Sequence, residues 1–163
     1  MKTELLLAQA KNQLNLVLSF FSRVDAKASV VLAVDTGMAG YLASRLPSPN
    51  AVLPWLLLIP LLAFVLIGIS LWHLYKGAFP NLTGGNLSLV YFREIAKRTE
   101  TKFIDEFAEQ SEADYAKDVL GQVWRNSEIL VEKFNHLKCA FIFMALAVMP
   151  WASSLGVFSM KLS

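Results

Sequence analysis

The sequence predicts an all-α membrane protein with three transmembrane helices, the first and last of which extend into a helical cytoplasmic module. Three observations carry this reading. Of 163 residues, 55% are hydrophobic and 17% charged, too apolar a balance for an ordinary soluble domain. The charge is also unevenly placed: residues 51–75 and 139–160 contain no Asp, Glu, Lys or Arg, and residues 28–44 contain only Asp35. Each run falls within or beside the roughly 17 to 25 helical residues that cross a hydrocarbon core of about 30 Å.

The elements follow in order. Residues 1–27 read as a cytoplasmic amphipathic helix continuous with the first span, 28–76 as a two-span hairpin, 77–138 as the cytoplasmic module and 139–160 as the third span. Between Thr3 and Leu46 there is no proline, so one helix of about 65 Å is expected. Its first half carries a stripe at Leu6, Ala10, Leu14, Val17, Phe21, Val24 and Ala28, the three- and four-residue steps of a buried face. The polar residues ahead of the run are too many for a cleavable signal. Gly37 and Gly40 offer a small-residue surface for close helix packing.

Arg45–Asn50, with two prolines, reads as a tight turn. In the second span Pro54 and Pro60 are expected to kink the helix, and Trp72, His73, Tyr75 and Lys76 to close it at the interface. The loop around Pro80, Gly84 and Gly85 leads to short helices expected over 86–98, with Leu87, Tyr91 and Ile95 on one side, and over 101–110. Ser111-Glu-Ala-Asp then resembles a capping box. From Glu112 the positions Tyr115, Val119, Val123, Leu130, Phe134 and Leu137 keep helical spacing into the third span.

Lys and Arg counts orient the chain. Four precede the first span, Arg45 alone follows it, nine lie from Lys76 to Lys138 and only Lys161 comes after. The positive-inside rule therefore places the N-terminus and 77–138 in the cytoplasm and the C-terminus in the periplasm. The net charge of +2 is too small for nucleic acid as a partner. One cysteine, Cys139, excludes an internal disulfide or a paired-thiol metal site. No catalytic motif is present: there is no GxSxG, HExxH or Walker loop, and Gly84-Gly85 lacks a phosphate-binding lysine. The chain is read as a non-enzyme without metal or cofactor. His73 and His136 both fall near cytoplasmic membrane boundaries.

Candidate binding residues cluster in three places. Arg23 and Lys27 share a helix face from which Asp25 is turned away; they suit either lipid phosphates or an anionic ligand. Arg93, Lys97, Arg98 and Lys102 lie within ten residues, just after Tyr91 and Phe92. Such a group suits a nucleotide, whose phosphate takes Arg and whose base stacks on a ring, or else a solvated face against anionic lipid. Trp124, Arg125 and Lys133 admit the same two readings. Asp35 stands apart, since a carboxylate at bilayer depth costs about 2.5–3.5 kcal/mol on insertion scales. It either ties spans together through Ser70 or Thr36, or lines an oligomeric pore or acts as a proton-sensitive switch.

The chain resembles the Pycsar effector family, the transmembrane effectors of a cyclic-pyrimidine antiphage system. The resemblance rests on Arg23-x-Asp25-x-Lys27-Ala28-Ser29, on Ser88-x-x-Tyr91-Phe92-x-x-Ile95, and on Asp118-x-Leu120-x-Gln122 followed by Ser127, Ile129, Lys133 and Leu137. It implies an effector that senses cUMP or cCMP made by a partner pyrimidine cyclase, assembles as a homo-oligomer and impairs the bacterial inner membrane. Asp35 departs from the neutral polar residue expected there. From the residues alone, a membrane scaffold or small channel subunit with a helical docking module is the alternative.

Overall fold

A computed structural model describes residues 2–46, 53–81 and 83–161. Five α-helices, and no strand, occur among them: α1 (Lys2–Ser44), α2 (Leu58–Ala78), α3 (Phe92–Ile95), α4 (Glu100–Glu109) and α5 (Glu112–Lys161), with one 3₁₀ turn at Pro54–Leu57 ahead of α2. Helices α1 and α5 run unbroken as the lack of early breakers requires. The Arg45–Asn50 turn falls mostly in 47–52, outside the described residues. The chain divides into two compact units, one formed by 1–23 and 81–132, the other by 24–80 and 133–163. Both long helices contribute a segment to each.

The second unit is a three-helix bundle. Its core clusters Met38 with Ile67 and Ala147, and then Leu42 with Ala63 and Phe158. As numbers rise along α1 and α5 they fall along α2, so α2 runs antiparallel to the other two. Two described stretches, Trp55–Ala78 and Glu112–Phe158, contain runs long and apolar enough to cross a membrane. The apolar part of α1 is diluted by Asp35, Thr36, Gly37 and Gly40 and does not reach that standard. Outward positions of the bundle are nonetheless apolar, with Val30, Leu58, Leu61, Leu146 and Met149 all exposed. In water that surface would be unfavourable by the transfer cost of its area.

Several local expectations change. Pro60 is buried in the first turn of α2, where a missing N–H needs no partner, so it begins the helix and does not kink it. A Cβ on Gly37 or Gly40 would meet nothing within 4 Å; neither glycine is the site of a close approach within the chain. That role falls to Gly77, where a Cβ would lie 3.2 Å from the His136 Cβ. At the end of α2, Trp72 stacks on Tyr75 and Lys76 lies over the Trp72 ring, forming the aromatic and basic edge expected there.

In the first unit, Lys11 of α1 lies over the Tyr115 ring of α5, and Phe107 of α4 meets the same ring edge-on. Ala10 and Val17 on α1 and Ala116, Val119 and Ile129 on α5 are buried, while Leu6, the first member of the expected stripe, is exposed. The helix expected over 86–98 is reduced to Phe92–Ile95. Gly84, Gly85 and Leu87 have positive φ, at 133°, 69° and 62°, which no α-helix accommodates, and Leu87 faces solvent. Thr99 caps α4. Ser111 caps α5 by accepting the Asp114 N–H at 3.1 Å, while its hydroxyl donates to the Asp114 carboxylate.

Candidate functional site

Loop 83–91 in the first unit is shaped by side chains on α5. Ser88 Oγ accepts the backbone N–H groups of Val90 and Tyr91 at 3.0 and 2.9 Å, and it also accepts Gln122 Nε2 at 3.2 Å. One turn earlier on α5, Asp118 accepts the Leu89 N–H at 2.7 Å. Arg98 holds the other side of the loop. Its guanidinium donates to the carbonyls of Leu87, Ser88 and Glu94 and to the Glu106 carboxylate, and its side chain is only 9% exposed. These bonds over-determine the strained Leu87 backbone. Ser88, Asp118 and Gln122, read above only as parts of motifs, are the residues that fix the loop.

The charges here are paired. Its hydrogen bond from Lys97 holds the Glu94 carboxyl below the usual range, and the Arg98 bond does the same for Glu106.

Two recesses flank the loop. The larger, about 510 Å³, is lined by Gly84, Asn86, Asp118, Gln122, Trp124 and Arg125, among others, a size usual for small-molecule sites. Trp124 stands at its edge with 66% of its surface exposed, so an indole face is open for stacking. Arg125 donates to the Asn81 carbonyl and pairs with Glu128, while its Nε is buried with no hydrogen-bond partner. Glycine at 84 is what lets the loop lie on that guanidinium, since a Cβ would come within 3.1 Å of Nε. A smaller recess of about 170 Å³ is lined by Tyr91, Arg93 and Lys97.

The candidate residues therefore separate. Tyr91, Arg93 and Lys97 line one recess and Arg125 the other; Arg98 belongs to the frame of the loop. Arg23 lies over the Phe20 ring in the first unit, whereas Lys27 and Lys133 belong to the second. There Lys133, 9% exposed, pairs with Asp25 at 2.6 Å. Asn86 and Gln122 were not singled out for binding by sequence; Gln122 was visible only as a motif member.

In the bundle, Asp35 is fully buried and its Oδ2 accepts the Ser70 hydroxyl at 2.6 Å, while the Ala140 carbonyl lies 2.9 Å from the Ser70 Oγ. Of the two partners expected from sequence, Ser70 is the one used; Thr36 bonds its own helix. His73 and His136 meet at 3.1 Å between Nδ1 atoms.

These features define a helical, membrane-associated protein whose polar unit carries a ligand-sized recess beneath a strained loop. The model of one family, described as the Pycsar effector protein domain, PycTM, matches residues 9–159, and the chain belongs to that family. Membership makes it an antiphage defence effector with membrane-associated helices. No curated protein and no solved structure matches it.

Proposed function

We propose that the chain is a non-enzymatic, nucleotide-gated effector that impairs the bacterial inner membrane on binding a cyclic pyrimidine nucleotide, cUMP or cCMP, supplied by a partner cyclase. The match to the Pycsar effector family over residues 9–159 carries this reading. Three spans cross the bilayer, with the first unit cytoplasmic and the C-terminus periplasmic. Packing of α1 alongside α2 and α5 in both core clusters of the bundle supports its being a span, the first of the three.

The nucleotide docks in the recess beside loop 83–86. Trp124 offers a stacking face, Asn86 and Gln122 carry the amide groups that read a pyrimidine edge, and Arg125 is placed for the phosphate. No metal or cofactor takes part. Binding shifts the chain toward an oligomer only in so far as the ligand prefers that arrangement.

In cells expressing the chain, supplying cUMP or cCMP should collapse the membrane potential. A normal potential at saturating nucleotide overturns the proposal. Trp124→Ala should weaken nucleotide binding by about tenfold or more, and unchanged affinity in calorimetry moves the site away from this recess.

A further inference from the structure

A third recess, wholly within the bundle unit, combines features that belong to a different ligand. It is a groove of about 770 Å³ between α1 and α5. Val31 and Leu137, at 4% and 9% exposure, form its floor, and Phe141 and Ile142, about half-exposed, form its wall. Its polar contribution comes from Lys27 and Lys138. Both residues are exposed, and among the described residues neither takes part in an ion pair or hydrogen bond. The contrast with neighbouring Lys133, which is buried against Asp25, is informative: the carboxylate nearest in sequence to Lys27 is already taken.

Two unpaired cations beside an apolar trough that opens outward between two helices match an amphiphile with an anionic head. We infer that the groove binds an anionic glycerophospholipid, its phosphodiester held between Lys27 and Lys138 and an acyl chain laid along Val31, Leu137, Phe141 and Ile142. Long ammonium side chains reach a headgroup while their stems cover apolar surface, and each cation near an anionic headgroup adds to affinity. The charge argues against a second copy of this groove as occupant, since that would set four ammonium groups together.

The inference rests on the bundle being embedded in lipid, and failure of that premise is seen separately, as protein that stays soluble without detergent. Purified full-length chain is titrated with phosphatidylglycerol and with phosphatidylcholine of identical acyl chains in detergent micelles, and bound lipid is counted by native mass spectrometry. Phosphatidylglycerol should be retained preferentially, and Lys27→Gln with Lys138→Gln should reduce that preference by about thirtyfold. Ile142→Trp, which fills the groove and leaves both lysines, should expel the lipid too. Equal retention of the two lipids, full retention by the double variant, or competition by inorganic phosphate alone overturns the inference. So does an Ile142→Cys variant that crosslinks to a second copy in lipid-saturated micelles. A folded state for each variant is confirmed by an unchanged melting temperature.

Discussion

Asp35 shows how a single residue is made tolerable by its neighbours. Its carboxylate is fully buried in the bundle and relies on one hydroxyl, that of Ser70, which is itself only 2.9 Å from the Ala140 carbonyl on a third helix. The other oxygen, Oδ1, has no hydrogen-bond partner among the described residues. Ser70→Ala removes the donor and leaves the acid unsatisfied, so we expect a loss of about 1–3 kcal/mol, read from denaturant titration in mild detergent. An unchanged midpoint would mean that the contact contributes nothing to folding. The sequence pointed to Asp35 as costly and offered Ser70 among its partners. It had no means of showing that Ala140 completes the set, because a backbone carbonyl has no sequence signature.

The element whose conformation departs most from its sequence pattern is the loop before α3. Leu87, Tyr91 and Ile95 have helical spacing, yet only Phe92–Ile95 is helical. The reason is tertiary: Asp118, Gln122 and Arg98 take the backbone groups and the Ser88 hydroxyl that organise 87–91, and two glycines supply the turn. Gly85 illustrates the constraint, since its φ is +69° and a Cβ there would sit 2.9 Å from both Gln122 Nε2 and Tyr91 Cδ1. Gly85→Ala should therefore destabilise the first unit by about 1–3 kcal/mol. By contrast, Gly121→Ala, mid-helix with open space at its Cβ, should stabilise by about 0.5–1 kcal/mol. Thermal melting of the two variants in opposite directions is the expected outcome, and equal shifts would contradict the loop geometry.

At the scale of the whole molecule, the two units are held by different forces. The bundle is built from apolar clusters, whereas the first unit adds carboxylates whose charged form is favoured by folding. Glu94, Glu106 and Asp114 are all lowered by bonds to Lys97, Arg98 and Lys117 respectively. For a depressed carboxylate the stabilisation is present above its unfolded pKa, about 4, and is lost as pH falls through the folded value. Amide exchange at Leu87, whose N–H donates to the Glu94 carboxylate, corrected for intrinsic rate, should thus stay slow from pH 7 to about 5 and accelerate below about 4. Constant protection down to pH 3 would show that these pairs do not hold the loop.

The sequence by itself determined the helical class, the continuity of α1 and α5, the apolar runs and the family, because these depend on local composition, periodicity and short motifs. Only the tertiary structure decided which charges remain open. Arg98 and Lys133 are equivalent in sequence to Arg93 and Lys27, yet the first pair is buried in bonds to Glu106 and Asp25 and Lys27, beside an apolar groove, is in no ion pair among the described residues. Pairing is a property of residues brought together from distant positions, and helical spacing within one segment carries no record of what the facing helix presents.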